Sequence, residues 1–224
     1  MRNDNATPHA ASEYEQEVRR TIPFHAELVQ TAVDAALAFV SAPRNWLDTG
    51  CGPGALTAIA RARAPETAHY LADPSPAMLA LSQARHPDLA EDRFFPVASA
   101  ELPESGLFDV VTAVQCHHYG DAAERERSVA RCRDLLAPGG VLVVFENVRA
   151  ETEAGHAAQR RRWAAWQLAQ GRDLAIVQEH LGREGTKFFP IRVSDHVELF
   201  QRLGFGAVEL VWRAYGQAGF TAVR

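Results

Sequence analysis

The chain has 224 residues, 47% of them hydrophobic and 23% charged, enough for one domain with a full core. A net charge of −5 supplies no basic footprint and argues against DNA or RNA as substrate. Cys51, Cys116 and Cys132 lack any C-x-x-C pairing, which excludes a disulfide framework and a zinc knuckle, and no apolar run suits a signal peptide or a membrane span. The expected compartment is the cytosol.

Residues 1–11 carry little to bury and read as a disordered leader. A short charged helix with Tyr14 and Val18 is expected over 13–20, broken at Ile22-Pro23-Phe24 because proline suits a helix start better than a helix interior. Leu28, Val29, Ala32, Val33, Ala36, Leu37 and Val40 recur at helical spacing and predict an amphipathic helix over 24–40. The first strand, 46–48, runs into Asp48-Thr49-Gly50-Cys51-Gly52-Pro53-Gly54, and a helix over 55–64 follows at once. Glycines between a strand and a helix N-terminus allow positive φ and admit a ligand where a Cβ would stand, as a bound nucleotide or nucleoside requires. The order Asp-x-Gly-x-Gly-x-Gly departs from the dinucleotide fingerprint, so a tight turn in any α/β protein is the competing reading.

A strand over 69–72 ends at Asp73-Pro74-Ser75-Pro76, where Ser75 caps a helix over 77–85 and Pro76 takes its first position. Further strands are expected at 94–98, 109–114 and 141–145, with a charged helix over 122–136 between the last two. Strands alternating with helices imply a parallel sheet with helices on both faces. The pattern changes after Asn147. Residues 149–182 form a long polar helical region whose apolar side includes Trp163 and Trp166, and 187–193 look extended. Ser194 or Asp195 caps a helix ending at Leu203, and 208–212 with 215–223 read as an antiparallel hairpin.

Taken together, Leu47–Gly54, Ala72–Leu79, Ala100-Glu101-Leu102-Pro103, Phe108-Asp109-Val110-Val111 and Leu135–Gly140, in this order, resemble the class I S-adenosylmethionine-dependent methyltransferases. The resemblance covers nearly the whole chain. It implies a Rossmann-like, seven-stranded, mostly parallel sheet with an antiparallel last strand, helices on both faces and a helical lid insertion. In that frame the chain is a single domain with an N-terminal helical cap (1–43) and a lid (149–193). The Ile22-Pro23-Phe24 start and the Trp212–Phe220 ending resemble a subset containing small-molecule methyltransferases and the tRNA-wobble-pathway enzyme that makes carboxy-S-adenosylmethionine. Carried over by residue, Asp48, Gly50, Gly52 and Gly54 form the loop under the methionine part of the cofactor. Asp73 takes both ribose hydroxyls, for which an ionised carboxylate is suited; an Asp-Pro turn or helix cap is its alternative. Pro74 and Met78 pack near the adenine. Ser99 stands where the family often has an acidic residue, with the main chain of Ala100 in support, and Gln115 lies beside the methionine part.

Methyl transfer from a sulfonium asks mainly for proximity, alignment and dryness, with a base where the acceptor must lose a proton. His117 and His118 open toward the methyl group in the resemblance and are the base candidates; a histidine pair that only shapes the pocket is the alternative. No metal is expected, since adjacent histidines do not converge on one ion. Tyr14, Tyr119, Glu146, Trp163 and Trp166 are the acceptor candidates, giving a mostly aromatic pocket for a flat, partly aromatic small molecule. Arg160-Arg161-Arg162 beside the tryptophans also invites a nucleic-acid reading, although a solvated helix face is the commoner outcome of such a run. The functional expectation is methyl transfer to a small organic acceptor. A tRNA-pathway enzyme and a non-catalytic S-adenosylmethionine-binding module remain as alternatives. Helical leaders and terminal hairpins of this kind also suit a homodimer.

Overall fold

A computed structural model describes residue 7, residues 9–104 and residues 106–224. The leader expected over 1–11 lies mostly outside the described residues. A 3-10 turn, Ala11–Glu13, leads into α1 (Tyr14–Thr21) and α2 (His25–Phe39). Between them Phe24 takes a left-handed conformation, φ 56°, which turns the chain sharply after Pro23.

The sheet is built from β1 (Asn45–Thr49), β2 (Ala68–Ala72), β3 (Phe94–Phe95), β4 (Phe108–Val114), β5 (Leu136–Arg149), β6 (Ile191–Arg192), β7 (Val208–Ala214) and β8 (Gln217–Val223). Seven strands run in the order β3-β2-β1-β4-β5-β8-β7, and the two-residue β6 pairs with β5 off this path. The first five are parallel; β8 runs antiparallel to β5 and to β7. The helices between strands are α3 (Ala55–Arg63), α4 (Pro76–Arg85) and α5 (Ala122–Leu135). Beyond β5 come α6 (Glu153–Ala169), α7 (Leu174–Gly182) and α8 (Val193–Arg202).

Alternation along each strand assigns its side chains to one of two cores. Leu47, Val111, Leu142, Val144 and Phe220 face α5 and α8. Trp46, Val110, Val143 and Phe145 face α2, with Trp163 of α6 and Val177 of α7 joining the same core. The inserted helices therefore pack with the N-terminal helices on one face of the sheet. Gly219 lies opposite Phe145, where any Cβ would come within 2.4 Å of the ring.

Several expected boundaries shift for local reasons. The strand expected over 94–98 shrinks to two residues because Pro96 offers no N–H to the ladder. The single helical region expected over 149–182 is two helices, divided where Gly171 takes φ +77°. The last inter-strand helix starts at Val193, and Asp195 caps it by accepting from the backbone N–H of Arg192 at 3.0 Å.

Candidate active site

The chain runs β1-β2-β3 outward and then returns to place β4 on the other side of β1. Ligands in open α/β sheets bind outside the carboxyl ends of the strands at such a reversal. The cleft there has a volume of about 250 Å³. The loop after β1 and the acidic end of β2 form one wall; the residues after β4 form the other.

Each loop glycine answers to a different neighbour. All three have positive φ: 64° at Gly50, 53° at Gly52 and 77° at Gly54. A Cβ at Gly50 would stand 2.4 Å from Cys116 Cβ, so this glycine lets the two walls touch. At Gly52 a Cβ would point into open space, with Tyr14 as its first neighbour at 4.0 Å. Gly54 faces away from the cleft, and a Cβ there would stand 2.6 Å from Ser82 of α4. The Gly52 backbone N–H donates to Asp73 Oδ2 at 2.8 Å and the Ser75 N–H to Oδ1 at 2.9 Å, so the Asp73 carboxylate ties the two turns together at the cleft wall. Ser75 caps α4 as expected, accepting from the Met78 N–H at 3.2 Å.

The cleft brings together Gly50, Gly52, Asp73, Pro74, Met78 and Ser99 with Tyr14, Gln115, His117 and Tyr119. Gln115 is buried at a left-handed φ of 57°, a strained conformation for a non-glycine residue. Ser99 is already engaged: its hydroxyl lies 2.8 Å from Thr49 Oγ1 and 2.9 Å from His117 Nε2. Burial lowers the His117 pKa, so its ring is neutral in neutral solution, with Nδ1 buried and without a partner among the described residues.

Other candidates stand elsewhere. Asp48 lies beneath the loop, where Thr57 and Thr112 each donate to one of its oxygens at 2.9 Å. Burial pushes its carboxyl up to about 6, the two hydroxyls opposing that rise. Ala100 sits in a 3-10 turn outside the cleft lining. His118 and Glu146 are fully buried behind the cleft. Gln217 Nε2 donates to Asn147 Oδ1 at 3.0 Å, which turns the Asn147 amide N–H toward His118 Nε2 at 3.2 Å. Nδ1 of His118 therefore carries the proton and donates to Glu146. With both ring nitrogens occupied, His118 has no lone pair to offer, and the expected base role for it is withdrawn.

Glu146 also accepts from the backbone N–H groups of His117 at 2.9 Å and His118 at 3.0 Å, so it braces the loop after β4 and does not reach the rim. Burial alone would raise its carboxyl; His118 and His117 beside it draw it below the usual carboxylate range. Trp163 is core, its indole N–H donating to the Thr21 carbonyl at 2.6 Å, and Trp166 packs on Tyr215 at 6.4 Å. Neither tryptophan lines the cleft. Arg160 is bound to Glu184 and the Leu181 carbonyl within the insertion, and Arg162 lies over the Tyr215 ring of the terminal hairpin, so two arginines of the basic run brace the insertion.

Cys116, His117 and Glu146 offer ligand atoms within 4.8 Å of one another. Both Glu146 oxygens accept N–H bonds, from His117 and His118, and Cys116 Sγ donates to the Thr49 carbonyl at 3.5 Å. Burial pushes the thiols of Cys116 and of Cys51, in the loop itself, well up. Among residues that carried no signal in the sequence, Glu124 and Ser128 line the cleft. Both lie on α5 and are brought there only by packing. No helix among the described residues is long and apolar enough to cross a membrane.

A family model described as a methyltransferase domain matches residues 47–142. The carboxy-S-adenosyl-L-methionine synthase of Marinobacter nauticus is 27% identical over 203 residues, 87% of this chain and 79% of that protein. The demethylmenaquinone methyltransferase of Thermus thermophilus is 33% identical over 131 residues, 58% of this chain and 59% of that protein. The structure of an O-methyltransferase family protein from Burkholderia thailandensis superposes with a TM-score of 0.63 at 21% identity, covering 98% of this chain. This chain spans only 65% of that one, just under two thirds. The strand order, the glycine loop facing Asp73 and these matches agree: residues 47–142 match a methyltransferase domain, and the chain has the Rossmann-like fold of S-adenosylmethionine-dependent methyltransferases.

Proposed function

We propose that the chain holds S-adenosylmethionine in the cleft between the loop after β1, Asp73 and Gln115, and transfers its methyl group to a small organic acceptor. The observation that carries this reading is the cradle itself. Gly52 opens onto free space where a side chain would stand, while the Asp73 carboxylate faces the same cleft. The cofactor, when bound, supplies an electrophilic methyl on a sulfonium whose departure as a neutral thioether needs no acid. The protein's part is alignment and exclusion of water. Gly50, Gly52 and Gln115 would bed the methionine part, Asp73 the ribose, and Pro74 and Met78 the adenine, with Tyr14 closing over the cleft from α1. Because Ser99 is spent on Thr49 and His117, the adenine would rely on backbone groups near Ala98. We further read the chain as one cytosolic domain, with residues 1–43 as cap and 149–193 as lid, able to pair as a homodimer.

Asp73→Ala is expected to weaken S-adenosylhomocysteine binding at least about tenfold, since charge-assisted hydrogen bonds contribute roughly 1.5–3 kcal/mol each. Titration calorimetry on the folded variant is the measurement; unchanged affinity would remove Asp73 from the site.

A second reading is favoured by the near full-length matches to carboxy-S-adenosyl-L-methionine synthases, one of which is 23% identical over 96% of this chain and 90% of its own length. Mass spectrometry of the ligand that co-purifies separates the two. S-adenosylhomocysteine supports methyl transfer, and a carboxylated cofactor supports the synthase.

A further inference from the structure

The cleft shares lining residues with a second cavity, and that cavity with a third. Thr7, Tyr14, Gln115 and Tyr119 line both the cleft and a neck of about 20 Å³ behind α1. His9 and His180 line both that neck and an outer chamber of about 370 Å³. The neck is the size of one water molecule or hydroxyl group. The chamber beyond it is walled by Glu17 and Arg20 of α1, Arg172 from the turn before α7, and Glu179 of α7. These walls are polar and ionic, unlike the aromatic pocket expected from the sequence.

His180 stands at the junction of neck and chamber, 6% exposed, and its ring is held on three sides. It meets Trp163 edge-on at 5.1 Å, stacks on Phe188 at 6.0 Å, and places Nδ1 3.2 Å from Gln167 Oε1. Arg172 donates to the same Gln167 atom. A guanidinium can only donate, so that atom is the amide oxygen, and the Nδ1 beside it must carry the ring proton. Nε2 is then a bare acceptor, and no described residue hydrogen-bonds it.

We propose that the neck receives the nucleophilic O–H or N–H group of a polar acceptor whose body occupies the outer chamber, and that His180 Nε2 is the base that takes its proton. The inference rests on the methyl-transfer reading above and gives it an acceptor class and a base. As the acceptor heteroatom bonds to the methyl carbon, the carbon–sulfur bond breaks and its electron pair stays on sulfur. The acceptor's proton passes to Nε2, and from there to solvent through the chamber. The charged and titratable groups around the ring are Arg172, Arg183, His9 and His118, with Glu17 and Glu179 on the chamber wall. Burial first, then Arg172, draws His180 down to about 3, so the ring is neutral in neutral solution and releases to the chamber the proton it takes.

Two measurements test this. In the full-length chain with ¹⁵N-labelled histidine and added S-adenosylhomocysteine, His180, assigned through its contacts to the Trp163 indole, is expected as the neutral Nδ1–H form. A proton found on Nε2 overturns the proposal whatever the activity. The second measurement follows label from methyl-labelled S-adenosylmethionine into a low-molecular-weight filtrate of bacterial extract. His180→Gln should transfer about a hundredfold less than the parent, with parental affinity for S-adenosylhomocysteine, and a loss of under about threefold overturns the base assignment. A parent chain that labels no small molecule overturns the methyl-transfer reading itself, while Asp73→Ala calorimetry still reports whether the cofactor cradle stands.

Discussion

Glu146→Ala is expected to lower the melting temperature by on the order of 10 °C. The change strands the backbone N–H groups of His117 and His118 and the His118 ring N–H, all buried, and it enlarges a cavity at a fully buried position. Removing one member of a buried charged network costs about 3–5 kcal/mol, and each kcal/mol shifts the midpoint of a domain this size by roughly 2–4 °C. Glu146→Gln should fall between parent and alanine variant, since one oxygen still accepts while the amide faces a donor. Scanning calorimetry decides: an alanine variant melting within about 2 °C of the parent would return Glu146 to the rim role expected from the sequence.

Stability should also collapse in mildly acidic solution. Burial draws His69 to about 4, His196 to about 4 and His180 to about 3, each from 6.5. Above the unfolded value all three are neutral in both states and contribute no pH dependence. As the pH falls below about 6.5 the unfolded chain takes up protons that the folded one refuses, and stability is lost at about 1.4 kcal/mol per pH unit for each ring. Asp48 opposes them. Its carboxyl, raised from 3.8 to about 6, favours the folded state as the pH falls through that window, offsetting roughly one histidine. The lowered histidines outnumber the one opposing carboxyl, so the urea midpoint should fall between pH 6.5 and 5. A midpoint constant across that range would mean that these rings are hydrated in solution.

The parallel sheet, the terminal hairpin and the glycine turn facing Asp73 were legible in the sequence because local features dictate them. A strand that ends in Gly-x-Gly-x-Gly before a helix has few backbone paths open to it, and Ser75-Pro76 starts a helix wherever it is placed. The acceptor side was not legible. Asp48 turns away from the cleft because β4 supplies Thr112 to hold it, and Glu146 turns inward because the loop after β4 presents three N–H groups. Trp163 was expected on the lid's inner face, yet its helix presents it to α1, where the Thr21 carbonyl lacks an intrahelical partner. His180 belongs to no motif; its tautomer depends on Gln167 and Arg172, which only the turn at Gly171 brings together.

A sulfonium methyl group is an alkylating agent, and a chain built to hold one must not be consumed by it. Cys116 lines the cleft wall opposite the loop, while Cys51, within the loop, packs with Leu71, Leu79 and Phe94; sulfur attacks as the thiolate. Burial raises both above their ordinary range, which disfavours the thiolate at each. The close packing of Gly50 on Cys116 thus has a consequence beyond shape: it helps bury the thiol nearest the cleft, in the protonated form that does not attack.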